Sequence, residues 1–380
     1  MKTRNLLYSF LLLSSFTSCQ QEDEVRLPEF SDRPILFSHI TMETSTSTRA
    51  DDNQPIGGEF PAGATVGVLG YCLTEDEAGA TTPWSGKSQA CIPFMPDMTD
   101  KPSVLTGIKL TKQLGGDWTY SPLKQWYEND KDYLYSFFAY SPCDPTYFTI
   151  STINKSNDNP PIYRGAPIAT FGLPYNQGEE SQPLDRTLLR DAMLSNNIDY
   201  QSNEGNVGFK FYHITGGLRF AVNNFDDTKS VTITSLTLSG TFNKEISIKA
   251  QTDYAVDNSY SGTFTIADAS MTVAPRELNR YFTEGGIADA KKVTLLLIPN
   301  LDADGISTTM GAPGHTPKVN VTYQMGDNSN SVTQSFDLPS MYYTVGVIHN
   351  ISLNFLGNSL TLTATPHEWD NEYSSDIVFE

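Results

Sequence analysis

At 380 residues the chain exceeds one ordinary domain, and two domains are the natural expectation. Its net charge is −19, and so acidic a surface argues against nucleic acid and anionic membrane surfaces as partners. Only 18% of the residues are charged, and Thr, Ser, Asn, Tyr and Phe abound, which is the composition of an exported, mostly β protein.

In chain order, Lys2 and Arg4 form a basic start, and Leu6 to Leu13 form a short apolar run. That pairing is a secretion signal, and the run is far below the ~20 residues needed to span a bilayer. Phe16-Thr17-Ser18-Cys19 closes it on small residues and a cysteine. The expectation is a lipoprotein, cut after residue 18 and acylated at Cys19, which places it at a bacterial membrane. Removing residues 1–18 makes the chain more acidic, because they carry Lys2 and Arg4 and no acid. Glu22-Asp23-Glu24, Pro28 and Pro34 describe a flexible acidic tether. Ile35-Leu36-Phe37-Ser38-His39-Ile40 is a short apolar run with strand character. Thr41 to Asp52 is Thr/Ser-rich without apolar periodicity, so it is expected to be exposed to proteases. Arg49, followed by Ala50, is its only basic residue.

From about Phe60 the pattern becomes strand-like. Thr65 to Tyr71 alternates between Gly/Pro clusters, and Tyr133 to Ser141 reads as a strand buried on both faces and stopped by Pro142. Residues 150–182 read as long loops, and Leu184 to Leu194 is the one short-helix candidate. Val207 to Ile214 and Leu218 to Val222 read as alternating strands. Polar residues Asn223 to Lys229 suggest a boundary near 225. Beyond it, short strands recur with turn residues between them, from Val231 to Leu362, as in a β-sandwich. The expected organisation is a signal over 1–18, a lipidated tether with a first strand over 19–49, and β domains over 50–225 and 226–380.

Chemistry-bearing motifs are scarce. With Cys19 acylated, Cys72, Cys91 and Cys143 remain, an odd set. A Cys72–Cys91 bridge and three small buried hydrophobes are both open readings. No Cys-x-x-Cys pair, His-Glu-x-x-His helix, nucleophile elbow or phosphate loop occurs, so neither an enzyme nor a cofactor is expected. His213 and His349 lie within strands, where hydrogen-bonded structural roles are the usual ones. Asn300-Leu301-Asp302-Ala303-Asp304-Gly305 resembles the first half of a calcium loop, but Gly311 stands where the bidentate glutamate belongs, and a polar hairpin turn explains the segment as well.

Taken in order, these features resemble the fimbrillin family, the lipoprotein-derived type V pilins of Gram-negative anaerobes. The resemblance rests on Cys19, Ile35-Leu36-Phe37, Thr48-Arg49-Ala50, Gly63 to Tyr71, Trp126 and Phe138 to Pro142. It continues through Phe209 to His213, Leu218-Arg219-Phe220, Leu296 to Pro299, and Tyr343 to Trp369. It implies two transthyretin-like β-sandwich domains in tandem, without enzymatic activity. It implies acidic residues after Cys19 as a surface-export signal, and transient attachment to the outer membrane through lipid. It implies a cut after Arg49 by an arginine-specific protease, which removes the first strand, and replacement of that strand by one from a neighbouring subunit. The donor would be the tail from Pro366 to Glu380, with Trp369, Ile377, Val378 and Phe379 as anchors. The partners would be other fimbrial subunits, in a homo- or heteropolymer at the cell surface. Where many members carry Gly-Asp, this chain has Gly63-Ala64, so a standard shaft role is not implied.

Two other readings compete with a shaft subunit. One is a tip or accessory adhesin, or a surface glycan-binding lipoprotein, for which Trp84, Trp118 and Trp126 would have to form an exposed platform. The other is an anchor subunit that keeps its lipid, against which Arg49 argues.

Overall fold

The computed structural model describes residues 30–43, 57–58, 60, 62–73, 90–93, 108–127, 134–151, 163–164, 168–173, 183–200, 206–249, 253–267, 270–284, 291–300, 306–307, 309–327 and 330–368. These residues are almost entirely β-structure. The strands that build the sheets begin with β1 (Phe30–Pro34), β2 (Phe37–Glu43), β3 (Gly57–Gly58), β4 (Thr65–Leu73), β5 (Ile108–Lys112), β6 (Gln125–Tyr127) and β7 (Leu134–Ser141). They continue with β8 (Phe148–Ser151), β9 (Ile168–Gly172), β10 (Met193–Tyr200), β11 (Val207–His213), β12 (Gly216–Asn224), β13 (Val231–Lys249) and β14 (Asp253–Thr265). The last are β15 (Thr294–Leu297), β16 (Lys318–Met325), β17 (Val332–Asp337), β18 (Val347–Leu356) and β19 (Ser359–Glu368).

A ten-stranded sheet carries β4, β7, β10, β11, β2 and β3 as successive neighbours, with β5 beside β4. An eight-stranded sheet is centred on the long hairpin of β13 and β14; β9 pairs with residues 245–249 of β13 and β16 with residues 231–236, with β8 beyond β9 and β17 beyond β16. A five-stranded sheet holds β12 between β15 and β18, and β19 lies beyond β18. The last two sheets face each other as a sandwich, with Tyr323 of β16 edge-on to Phe355 of β18 at 4.9 Å between ring centroids.

Strand pairing crosses residue 225 in both of those sheets. β8 and β9 extend the sheet of β13, with Phe171 opposite Ile246, and β12 runs parallel to β18 with Phe220 opposite Ile351. β12 is therefore central and buried on both faces, not alternating, and Arg219 is buried within it with Nε donating to Thr294 Oγ1 at 2.8 Å. β7 is also buried on both faces, as its apolar run predicts. One face of β7 shares a core with the eight-stranded sheet, where the Tyr140 ring lies 5.3 Å from that of Phe148. The other face contributes Phe137 and Ala139 to a second core.

Two local expectations are corrected. Leu184 to Leu194 is not a helix; a single 3₁₀ turn, Arg186–Leu188, separates two strand segments. Leu184 pairs with Phe264, and Met193 onward joins β7, so tertiary pairing overrides a weak helical pattern. Residues 150–182 are not wholly loop, because β9 lies among them. Both strand histidines have structural roles: His213 Nδ1 lies 2.8 Å from the buried Asp191 carboxylate, and His349 Nδ1 faces the Gly217 carbonyl at 3.4 Å. No helix among the described residues is long and apolar enough to cross a membrane.

Candidate assembly groove

The second core is built around a segment that lies wholly upstream of Arg49. Ile35, Phe37, Ile40 and Met42 are all buried there, among Phe60, Leu110, Trp126, Phe137, Phe209 and Phe211. The segment is held on both sides. β2 runs parallel to β11, with Phe37 opposite Val207, Ile40 opposite Phe209 and Met42 opposite Phe211. It runs antiparallel to β3, with Met42 opposite Gly58. Before it, β1 pairs with β6. Between β1 and β2 the backbone is clamped by the loop ahead of β6. Ile35 N–H donates to Lys124 O at 2.8 Å, and Tyr120 Oη donates to Ile35 O at 2.7 Å. Leu36 O accepts from Val207 N–H at 2.8 Å. Burial raises the Tyr120 phenol above its ordinary range, offset in part by the Lys124 N–H that it accepts, so it stays a neutral donor.

The side chains form an aromatic slot. Phe37 stacks on Phe209 at 5.8 Å and 12°, and meets Tyr120 and Phe137 edge-on at 5.7 Å and 6.2 Å. Phe60 meets Phe211 edge-on at 5.3 Å and Trp118 at 5.4 Å. Burying four apolar side chains of this size stabilises the packed segment by roughly 6–12 kcal/mol before ordering costs. Without β2, the slot would present Phe209 and Phe211 to water beside the unpaired backbone edge of β11, a template for another strand.

Phe60, Trp118, Tyr120, Trp126, Phe209 and Phe211 line this slot, and the sequence alone assigned none of them to it. Phe209 and Phe211 alone carried a signal, as aromatic positions of an alternating strand. Trp126 is buried edge-on to Tyr135 at 4.9 Å, and Trp118 packs against Phe60, so both serve the core and not an exposed platform. Trp84 lies outside the described residues, as do Cys19, Arg49, Ala50, Trp369, Ile377, Val378 and Phe379. The backbone of β4 sets Cys72 opposite Ile92, one position from Cys91, and Cys143 is a free thiol 3.6 Å from Tyr140 Oη. Leu301 to Gly305 of the calcium-like segment are outside the described residues. Among the described residues no three His, Cys, Asp or Glu side chains gather as a metal site.

Comparison with known proteins agrees with this architecture. A fimbrial protein from Bacteroides vulgatus, 18% identical, superposes with a TM-score of 0.51 over 89% of this chain and 99% of its own. A candidate cell adhesion protein from Bacteroides ovatus is 14% identical, with a TM-score of 0.43 over 91% of this chain and 99% of its own. A fimbrial assembly protein from Parabacteroides distasonis is 12% identical, with a TM-score of 0.32 over 86% of this chain and 98% of its own. At such identities the first likeness establishes the fold, and the other two add no argument. No curated protein sequence matches the chain. The profile of the fimbrillin-like family matches residues 48–335, three quarters of the length, and the chain therefore belongs to the fimbrillin-like family.

Proposed function

We propose that this protein is a fimbrial subunit of the cell surface, exported as a lipoprotein acylated at Cys19, cut after Arg49, and polymerised by donor-strand exchange. The observation that carries the reading is β2. It is an integral strand of the second core, and the chain that contains Arg49 joins it, together with β1, to the strands from β3 onward. Cutting there leaves the strand held by non-covalent contacts alone. Its high effective concentration is lost, so an incoming strand competes for the slot on equal terms. A head-to-tail contact of this kind does not close on itself and propagates a filament. The tail with Trp369, Ile377, Val378 and Phe379 is the candidate donor to the next subunit. In this reading the lipid holds the precursor at the outer membrane until processing releases it.

The test is limited digestion of residues 20–380 with an arginine-specific protease, followed by N-terminal sequencing and an unboiled denaturing gel. A new start at Ala50 with a ladder of high-mass species is the expected result. A start at Ala50 with monomer alone indicates a tip or accessory subunit, or a missing partner. Resistance at Arg49 refutes processing and leaves a tethered binding or anchor lipoprotein.

A further inference from the structure

Besides side chains, the slot holds the main chain of its occupant at one point. Asp32 and Pro34 are exposed and Ile35 is fully buried, so the mouth of the slot lies between Pro34 and Ile35. There the first segment changes partner, from β6 alongside residues 30–34 to β11 alongside residues 37–42. Ile35 is bonded at both of its backbone polar groups. Its N–H donates to Lys124 O at 2.8 Å, and its carbonyl accepts from Tyr120 Oη at 2.7 Å. The following carbonyl, Leu36 O, accepts from Val207 N–H of β11.

The groups that hold Ile35 belong to the chain downstream of Arg49 and are fixed without it. Thr119 pairs with Thr111, and Trp126 is buried edge-on to Tyr135 and Phe137, so the loop between Thr119 and Trp126 is anchored at both ends. The Tyr120 proton is directed as well. Its oxygen accepts from Lys124 N–H at 3.2 Å within the same loop, which leaves the single O–H to point at the occupant. Loss of the first strand takes away the partners of this phenol donor and of the Lys124 carbonyl. A new strand that covered them without replacing both hydrogen bonds would bury two unsatisfied groups, which costs more than the bonds are worth when made.

Resting on the donor-strand reading above, we infer that Tyr120 and the Lys124 carbonyl form a docking station for the main chain of the incoming strand, and that Tyr120 is a positioning residue for strand exchange. The station reads no side chain. It requires one residue with a free N–H and an accepting carbonyl at the place where the strand enters the slot. Strands of differing sequence satisfy it, and a strand with proline at that place does not, because proline has no N–H to offer Lys124 O.

The test uses the full lipid-free chain with a site-specific protease sequence in place of residues 46–50, so that it does not depend on cleavage at Arg49. After cutting, excess fluorescent peptide is added, and capture is followed by anisotropy for the parent and for Tyr120→Phe. The peptides are residues 30–43, the same peptide methylated at the Ile35 nitrogen, and the same peptide with an ester in place of the Ile35–Leu36 amide, whose carbonyl is a weaker acceptor. On the parent, each modification is expected to weaken capture about tenfold or more. On the Tyr120→Phe protein, the unmodified peptide is expected to bind about tenfold more weakly and the ester penalty to shrink to within about threefold, since the bond that it weakens is already gone. A tyrosine that merely supports the fold would weaken all three peptides alike and leave the ester penalty intact. That result, or capture by Tyr120→Phe within about threefold of the parent, overturns the role of Tyr120. Equal capture of the N-methylated peptide by the parent, a measurement that needs no variant, overturns the station. If the parent captures no peptide although the cut is complete, the exchangeable slot itself is refuted, and this inference falls with it.

Discussion

Replacing Phe37 with alanine measures how firmly the first strand is held. Its ring is 5% exposed, stacked on Phe209 at 5.8 Å and flanked by Tyr120 and Phe137. Truncating a buried phenylalanine costs roughly 3–5 kcal/mol, and this site is hemmed in by rigid rings that cannot collapse into the cavity. A loss of about 4 kcal/mol raises the population with β2 detached about a thousandfold. The assay is hydrogen exchange of the lipid-free precursor, read at the amides of 37–43 and 207–211. Those amides are expected to exchange about a thousandfold faster through local opening. Leu36→Ala is the control, since Leu36 is 43% exposed and its loss is expected to shift exchange by less than about fivefold. Anchoring by the Phe37 pocket is ruled out if Phe37→Ala exchanges within tenfold of the parent, or if Leu36→Ala matches it. In that case the segment is held by backbone pairing and not by its pocket.

Other perturbations test separate parts of the fold. Ser38 Oγ is buried in β2, where its register against β11 shifts, with no hydrogen-bond partner among the described residues, so Ser38→Ala is expected to leave the thermal midpoint unchanged or raise it, and a clear drop would show that the hydroxyl is satisfied. Gly67 lies opposite Tyr140, whose ring occupies the space of any added Cβ, so Gly67→Ala is expected to cost about 3 kcal/mol by denaturant titration, and pairing it with Tyr140→Leu should recover part of the loss. Burial pulls the His349 imidazole down to about 4, opposed by backbone hydrogen bonds at Gly217 and Tyr342. The unfolded chain then binds more protons than the fold between the ordinary histidine value and about 4, so stability is full above that window and falls as pH drops through it. The loss should reach about 3 kcal/mol, and His349→Gln should flatten this part of the curve; an unchanged slope would show that another group is responsible.

The slot was only half legible in the sequence. Ile35 to Ile40 announced a strand by its apolar run, yet its partner β11, and the register shift between Phe37 and Ile40, belong to the folded chain. Tyr120 and Phe60 gave no signal of their own. A phenol reaching the Ile35 carbonyl 85 residues away is a contact that only the folded chain makes. The helical reading of Leu184 to Leu194 failed for the same reason, because its fate was set by partners at Phe264 and along β7.

By itself the sequence determined what depends on local chemistry. β-Branched and aromatic alternation fixed the all-β class, the double-sided apolar run fixed β7 as a central strand, and the order of motifs pointed to the family. Tertiary structure alone decided which strands are neighbours. It placed β12 beside β18 and β8 with β9 on the sheet of β13, and it seated β2 in an aromatic slot closed by residues far along the chain. Strand pairing is non-local: the backbone groups that it satisfies are alike in every residue, so register and partner emerge only when side chains from distant segments are buried together.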